Sequence, residues 1–482
     1  MATTSRTPAR TTATTQAYIN GAHVTAEATY QNIDPATGQA IGDVARCDAS
    51  HVDQAVQAAR AAQPAWASTK PEQRADLLQA LAAKILENVE ELTQLESEDT
   101  GKPLTQARTD ATVLARYFTF YARAIDSYYG LSLPVDEQFH VYTRREPLGV
   151  CGSVIAWNYP MQLFGRAVAP ALATGNAVVI KPADETPRTA VRIAQLATEV
   201  GLPDGLLNVV TGIGIEAGAA LAAHPGIDHI GFVGSTAVGT SIAASAAQNV
   251  VPAVLELGGK SPHVVFPDAD LDSAATFITK GILQNAGQTC SAGSRLLVHA
   301  DVADALLEKL KATFEAVTIG PGSEDRDLGP LVSAKQQDRV RGFVEGADGL
   351  VITGGTVPEG FDQGAFFQPT LIADVSPDAE IMQQEVFGPV LVATTFTDED
   401  EAVELANGTD YALMAAIWTS DVSRAHRLAR RVMAGQVYVN AYGAGGGVEY
   451  PFGGFKKSGY GREKGVESLD AYTQTKTVIV KL

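Results

Sequence analysis

Hydrophobic and polar positions follow two different patterns along the chain. In the first 130 residues the apolar positions have helical spacing. Val52, Val56 and Ala59 share one face after a helix start at Ser50–Asp53, and a second amphipathic helix contains Leu78, Leu81, Ile85, Val89 and Leu92. From residue 150, short apolar runs at 150–155, 177–180, 207–210, 229–233 and 254–257 alternate with Ala-rich helical stretches. Such runs predict parallel strands in βαβ units, and therefore an α/β fold.

Composition narrows the classes of protein that this chain can represent. A chain of 482 residues is too long for one ordinary core, so we expect two or three domains. No apolar run reaches the roughly 18 residues of a membrane span, which predicts a soluble protein without membrane contact. The formal net charge of -19 argues against a nucleic-acid partner, because phosphate binding depends on clustered Lys and Arg.

The three cysteines, Cys47, Cys151 and Cys290, have neither metal-ligand spacing nor a disulfide pattern. If one of them acts as a free thiol, a reducing cytoplasm is the expected location. Residues 1–16 contain Arg and hydroxyl side chains but no acid, which is superficially similar to an organelle transit peptide. Pro8 and the lack of an apolar face favour a disordered tail instead.

Two segments carry the candidate chemistry. Cys290 lies in a run of small and amide residues, 284–292, and Glu256 lies in the apolar segment 254–261. Small neighbours leave room for a substrate, and burial would raise the pKa of a carboxyl group towards neutrality, as a general base requires. Taken singly, a free cysteine is more often a small buried hydrophobe, and a glutamate beside Gly-Gly is usually a turn or cap residue.

Both segments together resemble the two signature segments of the NAD(P)-dependent aldehyde dehydrogenase superfamily. The family's motifs occur in order from about Tyr18 to the C-terminus. The resemblance implies a Rossmann-like NAD-binding domain over residues 17–128 and 147–257 and an α/β catalytic domain over 258–455. A small β oligomerisation element with a C-terminal strand would use residues 129–146 and 456–482. It also implies a homodimer or homotetramer.

The resemblance assigns a cofactor site. Residues 229–239 are typical of a strand, a turn and a helix start, and a helix N-terminus can hold a pyrophosphate. The segment lacks the standard G-x-G-x-x-G pattern but matches the family's Gly-Ser-Thr-x-x-Gly motif, which implies Gly234 and Ser235 as ligands. Glu385 is implied to bind the nicotinamide ribose, and Phe387 and Trp157 are implied to line the cofactor site.

Lys181 and Asp184 match the family's segment for the adenosine ribose, where Glu is usual in place of Asp184. A carboxylate there accepts hydrogen bonds from ribose hydroxyls and repels a 2′-phosphate, which favours NAD over NADP. Because the Asp side chain is shorter than Glu, NADP stays open as the alternative cofactor.

The resemblance also implies the reaction. The Cys290 thiolate would attack the aldehyde, Asn158 and the Cys290 backbone N–H would hold the oxyanion, and water activated by Glu256 would hydrolyse the thioester. No His or Cys pair has ligand spacing, so no metal is expected. A CoA-acylating relative would lack the Glu256 base, and a cysteine hydrolase would need a histidine partner. A non-catalytic relative is the third alternative.

Substrate identity is less constrained. Arg166 stands eight residues after Asn158, where general aldehyde enzymes of the family tend to have Trp and semialdehyde enzymes tend to have Arg. This predicts an anionic semialdehyde substrate, with Tyr159 and Phe452 as further substrate-binding residues. The alternatives are that Arg166 only packs or pairs within the protein, and that the Gly-rich loop 442–450 admits aromatic or aliphatic aldehydes.

Overall fold

The computed structural model describes residues 14–443 and 446–482. Its strands, numbered in chain order, are β1 (Ala17–Ile19), β2 (Ala22–Val24), β3 (Thr29–Ile33), β4 (Ala40–Ala45), β5 (Ser132–Leu133), β6 (Phe139–Pro147), β7 (Val150–Val154), β8 (Ala177–Lys181), β9 (Leu207–Val209), β10 (His229–Val233), β11 (Ala253–Glu256), β12 (Pro262–Val265), β13 (Arg295–His299), β14 (Leu350–Thr353), β15 (Thr370–Ala373), β16 (Val390–Phe396), β17 (Tyr411–Ala412), β18 (Met414–Trp418), β19 (Gln436–Val439), β20 (Phe455–Lys456), β21 (Gly459–Tyr460) and β22 (Thr473–Lys481). Its α-helices are α1 (Ala49–Ala67), α2 (Pro71–Glu87), α3 (Val89–Thr100), α4 (Leu104–Ala124), α5 (Pro160–Ala173), α6 (Arg188–Glu199), α7 (Ala219–Ala222), α8 (Thr236–Gln248), α9 (Leu271–Leu283), α10 (Ala303–Glu315), α11 (Ala334–Glu345), α12 (Glu380–Gln383), α13 (Glu399–Asn407), α14 (Val422–Arg431) and α15 (Ser468–Ala471). Across the described ranges, none of these helices has the length and hydropathy needed to cross a bilayer.

The N-terminal helices begin and end where local chemistry dictates. Asp48 caps α1, because its carboxylate accepts hydrogen bonds from the backbone N–H groups of Ser50 and His51. The second predicted helix is divided in two: α2 ends at Glu87 and α3 begins at Val89. Asn88 between them leaves the helical region, with φ -108° and ψ 20°. Apolar spacing continues across the break, so periodicity alone predicted one helix.

The first sheet has the order β2-β1-β9-β8-β7-β10-β11-β21. Its five central strands, from β9 to β11, are parallel, and each corresponds to one of the predicted apolar runs. Every residue of β7 and β8 is buried, as expected for strands covered by helices on both faces. The predicted parallel α/β construction is confirmed.

The second sheet has the order β14-β15-β16-β13-β12-β18-β19. All neighbouring pairs are parallel except β14 with β15. Separate hydrophobic clusters pack against it, one containing Leu296 and Trp418 and the other containing Leu297 and Ile417. Consecutive residues of one strand thus enter opposite faces, so this sheet is buried on both sides.

A third sheet joins β5, β6 and β22 in antiparallel pairs. β22 pairs with β6 over nine positions, from Thr473 opposite Pro147 to Lys481 opposite Phe139. Its role in oligomerisation stays a prediction. The predicted terminal segment 456–482 is divided, because β21 joins the edge of the first sheet beside β11 before the chain reaches β22.

Of the predicted disordered tail, residues 1–16, residues 1–13 lie outside the described residues. Thr15 belongs to the described chain. Its backbone N–H donates to the Asp43 carbonyl, and its carbonyl accepts from the Ala45 N–H, both at 2.8 Å. These bonds place Thr15 alongside β4.

Candidate active site

The candidate site lies between the two large sheets. Asn158 follows β7, Ser235 follows β10 and Glu256 ends β11, all at the carboxyl ends of parallel strands in the first sheet. Cys290 precedes β13 and Glu385 precedes β16, at the amino ends of parallel strands in the second sheet. All five residues line one cavity of about 790 Å³. Crevices beyond the carboxyl ends of parallel strands are the usual place for ligands in open α/β sheets.

A strained turn presents Cys290 to this cavity. After α9 the backbone is left-handed at three successive residues, with φ of 50° at Asn285, 53° at Ala286 and 72° at Gly287. A Cβ at Gly287 would lie 2.0 Å from the Gly388 carbonyl oxygen, so only glycine fits there. Left-handed backbone outside glycine is costly and often marks a functional site. Here it precedes the partly exposed Cys290.

Groups around the Cys290 thiol have opposing effects on its pKa. Burial raises its pKa to about 12, and the Glu256 carboxyl group acts in the same direction. The Arg166 guanidinium and the backbone N–H of Ser291 act in the opposite direction. The balance of these effects favours the protonated thiol. A base or an approaching cation must favour the thiolate before it can attack a carbonyl.

The Asn158 amide is buried beside the cysteine loop. Its Nδ2 donates to the Gln288 carbonyl oxygen at 3.0 Å. An amide nitrogen carries two hydrogens, so a second one can be offered to an oxyanion. The Asn158 carbonyl accepts hydrogen bonds from Lys102 Nζ at 3.0 Å and from Asn285 Nδ2 at 2.8 Å. The side-chain amide and the backbone carbonyl of Asn158 are thus both held in place before any charge develops.

Sequence analysis missed the charge cluster that holds the Asn158 backbone. Lys102 is fully buried, and its Nζ contacts Glu96 at 3.2 Å and Asp110 at 2.5 Å. Burial lowers the pKa of Lys102, but Asp110 and Glu96 outweigh it and leave the pKa above its usual value. Burial also raises the pKa of Glu96 to about 8. The lysine stands between Gly101 and Pro103, two helix breakers whose local pattern indicates only a turn.

Glu256 is a buried carboxyl group without a hydrogen-bond donor among the described residues. Neither of its carboxyl oxygens has a hydrogen-bond partner, although the side chain is only 2% exposed. Burial raises its pKa well above the usual range, Glu463 raises it further, and Arg166 opposes both. A Cβ at Gly453 would lie 2.7 Å from Glu256 Oε1, so this glycine admits the carboxyl group. The site thus contains a carboxyl group whose surroundings favour the exchange of a proton.

Arg166 lines the cavity, but its guanidinium is already paired. Nη2 lies 2.5 Å from Glu463 Oε2 and 3.8 Å from Glu256 Oε2. The guanidinium also lies over the Phe452 ring, 4.7 Å from its centre. A substrate carboxylate would have to compete with Glu463, a residue that sequence analysis did not single out. Only folding brings Glu463 next to Arg166, so no local pattern marks it.

The predicted nicotinamide-side residues occupy the opposite part of the cavity lining. Ser235 caps α8, with its side chain accepting from the Val238 N–H. Phe387 has φ of 62°, and its ring meets the Trp157 ring edge-on at 5.2 Å. Glu385 accepts a hydrogen bond from the Gly259 N–H at 2.8 Å, and burial raises its pKa to about 7. Gly234, Trp157 and Phe387 line the same cavity.

Lys181 and Asp184 lie on the neighbouring strand end. Lys181 is the last residue of β8, and its ammonium group pairs with the Asp184 carboxylate. The second oxygen of Asp184 accepts from the Gly214 N–H at 3.2 Å. Neither residue lines the large cavity, but both lie at the same carboxyl edge of the first sheet. They could therefore bind a part of a dinucleotide that extends beyond the cavity.

Tyr159 connects this cavity to a second one of about 440 Å³. Its hydroxyl shares a hydrogen bond of 2.9 Å with Thr289 Oγ1, next to Cys290. Five further residues of the second cavity's lining have amide or hydroxyl groups: Gln106, Thr109, Gln162, Thr279 and Gln284. Charged and apolar side chains complete the lining, among them Lys280, Asp327 and Leu283. Gln106 is attached to the cysteine loop, because its Oε1 accepts from the Asn285 N–H. The second cavity thus adjoins the loop that carries the candidate nucleophile.

The three cysteines differ in their surroundings. None forms a disulfide, and Cys47 and Cys151 are buried away from the cavity. Burial raises the pKa of both thiols, as it does that of Cys290, so the three cysteines differ in their access to the cavity. Within residues 14–443 and 446–482, no cluster of three or more His, Cys, Asp or Glu side chains could hold a metal ion. Among the cysteines, only Cys290 lines the large cavity.

Comparison with known proteins identifies the family to which this chain belongs. The model of the aldehyde dehydrogenase family matches residues 23–478. Hydroxyisobutyraldehyde dehydrogenase of Mycolicibacterium austroafricanum is 42% identical over 471 residues, which cover 96% of this chain and 93% of the relative. The chain therefore belongs to the aldehyde dehydrogenase family. It is an NAD(P)-dependent aldehyde oxidoreductase, and the predicted family and enzyme class are confirmed.

Solved structures confirm the fold. The γ-glutamyl-γ-aminobutyraldehyde dehydrogenase from Burkholderia cenocepacia J2315 is 43% identical, with a TM-score of 0.95 over 97% of both chains. An aldehyde dehydrogenase from Bacillus cereus, solved as an NAD+ complex, is 38% identical. Its TM-score is 0.95 over 98% of this chain and 97% of its own. The α/β architecture described above is thus that of aldehyde dehydrogenases.

Proposed function

We propose that this chain oxidises an aldehyde to the carboxylic acid through a thioester on Cys290, with NAD as the hydride acceptor. One observation carries the proposal. The Cys290 thiol, the Asn158 amide and the unpartnered Glu256 carboxyl group line the same cavity. A nucleophile, an oxyanion donor and a base are the three groups that acyl-transfer chemistry of this kind requires.

In the proposed reaction, Cys290 Sγ forms a bond to the aldehyde carbon after its proton has been lost. The second amide hydrogen of Asn158 and the Cys290 backbone N–H stabilise the resulting oxyanion. The carbon then loses a hydride, the carbonyl re-forms and a thioester results. Glu256 takes a proton from water, the water oxygen attacks the thioester, and the carbon–sulfur bond breaks to release the acid.

The cofactor residues fit a nicotinamide dinucleotide, which when bound supplies the hydride acceptor. The N-terminus of α8 at Ser235 favours a pyrophosphate, and Glu385 reaches the same cavity. The NAD+ complex of the Bacillus cereus relative supports the same choice. Asp184 favours NAD over NADP, since its carboxylate would repel a 2′-phosphate, although its pairing with Lys181 reduces that repulsion. NADP is the alternative.

For the substrate, the geometry favours a small neutral aldehyde that carries a hydroxyl group. Arg166 is engaged by Glu463, and amide and hydroxyl side chains line the adjoining cavity together with Lys280, Asp110 and Asp327. A relative is a hydroxyisobutyraldehyde dehydrogenase, which agrees with this chemistry. An anionic semialdehyde is the second candidate, because Arg166 does line the large cavity. Aromatic and simple aliphatic aldehydes are further alternatives on a test panel.

We also propose a homodimer or homotetramer that assembles through the third sheet. That sheet exposes apolar side chains to solvent in the single chain, among them Ile479, which is 66% exposed, and Leu133, which is 39% exposed. Exposed apolar patches of this kind mark association surfaces. A reducing cytoplasm remains the proposed location, since Cys290 must stay a free thiol.

The test replaces the proposed nucleophile. Cys290→Ala should abolish formation of reduced NAD from aldehyde while NAD binding persists, because the thiol is needed for covalent attack alone. Cys151→Ala is the matched control, since Cys151 is buried outside the cavity and should leave turnover intact. Turnover by Cys290→Ala comparable to the control would refute the proposal. Initial rates with hydroxylated, aliphatic, aromatic and anionic aldehydes then rank the substrate classes.

A further inference from the structure

The residue after the proposed nucleophile is held on both sides. The Ser291 backbone N–H acts on the Cys290 sulfur and favours the thiolate, against the stronger opposing effect of burial. The Ser291 carbonyl oxygen accepts a hydrogen bond of 2.5 Å from the Tyr442 hydroxyl. Tyr442 is 151 residues away in the chain. One peptide segment thus connects the nucleophile to a distant tyrosine.

Tyr442 is itself held rigidly. Its ring packs against the His263 ring at 4.4 Å and the Tyr438 ring at 5.7 Å between centres. A Cβ at Gly281 would come within 2.7 Å of the Tyr442 ring, so the small residue there makes room for it. Burial raises the pKa of the Tyr442 hydroxyl, which therefore stays a donor throughout the working pH range. Burial also lowers the pKa of His263 to about 3. The His263 ring is therefore uncharged and acts by packing alone.

The His263 ring, which packs against Tyr442, also supports the backbone beyond Ser291. A Cβ at Gly293 would lie 2.0 Å from His263 Nε2, so the loop lies directly on this ring. Ala292 N–H donates to the Thr289 carbonyl at 2.9 Å, which closes a tight turn around Cys290. Tyr442 does not line the large cavity. Any effect on the reaction must therefore pass through the loop, and not through contact with substrate.

We propose that Tyr442 is a positioning residue: its hydroxyl fixes the Ser291 peptide so that the Ser291 N–H is directed at the Cys290 sulfur. The inference rests on the proposed function, in which Cys290 is the nucleophile. The physical basis is that a hydrogen bond made to the charged form of a group favours that form only while its geometry is maintained. Without the Tyr442 hydroxyl, the Ser291 carbonyl is a buried acceptor without its partner and the turn can relax.

Tyr442→Phe tests the proposal, because it keeps the ring and its packing and removes only the hydroxyl. Tyr438→Phe is the matched control, since the Tyr438 hydroxyl has no hydrogen-bond partner in the described part of the chain. The measurement is the rate at which iodoacetamide alkylates Cys290, followed on the Cys290 peptide by mass spectrometry across a range of pH. Only the thiolate reacts, so the pH midpoint reports thiolate stability.

Tyr442→Phe should slow alkylation at neutral pH by about three- to tenfold, as expected for one lost hydrogen bond, and move the midpoint to higher pH. The alkylation rate should rise with pH in both proteins, and an unchanged near-UV circular dichroism spectrum shows an intact fold. Turnover should show a lower kcat with little change in KM. An unchanged midpoint, or equal shifts in both Phe variants, would overturn the proposal.

The outcome is separable from the test of the proposed function. If Cys290→Ala kept its turnover, Cys290 would not be the nucleophile, whatever the alkylation data showed. If Cys290→Ala is inactive and Cys290 in Tyr442→Phe is alkylated at the wild-type rate, Cys290 is the nucleophile and Tyr442 does not position it.

Discussion

Two buried charge clusters lie beside the active site, and each combines one cation with two carboxyl groups. In the first, Lys102 contacts both Glu96 and Asp110 and also donates to the Asn158 carbonyl. In the second, Arg166 lies 2.5 Å from Glu463 but 3.8 Å from Glu256, whose oxygens have no hydrogen-bond donor among the described residues. The first cluster supports a backbone segment. The second leaves one carboxyl group without a partner.

The difference matters because a buried carboxyl group is stable as an anion only when donors compensate for lost water. Glu256 lacks such donors, so it holds a proton more readily and can exchange it with a substrate or with water. Lys102 has its partners arranged around it, so we assign it to structure. Three predictions examine this contrast, and a fourth concerns the cofactor site; they are given in order of expected effect.

The largest effect is expected on stability. Lys102→Met removes the cation that two buried carboxyl groups share, which should lower the free energy of unfolding by about 3 to 5 kcal/mol. Denaturant unfolding measures this value. Lys309→Met, which breaks the exposed pair with Asp272, is the control and should change stability far less. Equal changes in both variants would show that the Lys102 cluster is not a structural support.

Arg166→Met should reduce kcat/KM by roughly ten- to a hundredfold, the range for loss of a hydrogen bond or ion pair with a charged group. If Arg166 acts on Glu256 and Cys290, the loss is similar for a neutral aldehyde and for an anionic semialdehyde of similar length. Initial rates on both substrates decide this. A loss confined to the anionic substrate would show instead that Arg166 binds the substrate carboxylate.

The pH dependence of turnover should reveal the second cluster directly. After burial, the Glu463 carboxylate is the largest cause of the raised pKa of Glu256. Glu463→Gln removes that negative charge, so the pKa of Glu256 falls and the rising limb of the pH–rate profile moves to lower pH. Arg166→Met removes an opposing positive charge and should move the limb to higher pH. Shifts in the same direction would contradict this account.

The smallest effect is expected at the cofactor site. The wild type should have a higher kcat/KM with NAD than with NADP. Asp184→Ser should reduce the ratio of these two values several-fold, because it removes the carboxylate that repels a 2′-phosphate. Steady-state kinetics with both cofactors provide the measurement. A wild-type preference for NADP would show that Asp184 does not select the cofactor.

The sequence predicted those features that depend on neighbouring residues. Apolar runs of four to six residues indicated the parallel strands of the first sheet, since a strand covered on both faces needs continuous apolar positions. The segments around Cys290, Glu256 and Asn158 were recognisable because each motif lies within one short stretch of chain. All three residues line one cavity in the structure.

The remaining features depend on partners that are distant in the chain. The Asn158 carbonyl meets a lysine 56 residues away, and the Ser291 carbonyl meets a tyrosine 151 residues away. Arg166 was recognised as a charged residue near the substrate, but only folding reveals Glu463 beside it. Local spacing contains no information about such contacts, because they depend on how distant segments of the chain pack in the fold.

The central claim is that the unpartnered carboxyl group of Glu256 is the base that releases the product. Glu256→Gln, mixed with aldehyde and NAD, should form the thioester once and then stall, because an amide cannot accept the proton from water. Intact-protein mass spectrometry should show a persistent acyl group on Cys290, and the Glu463→Gln control should show none. Normal turnover of Glu256→Gln without a trapped acyl group would contradict the account.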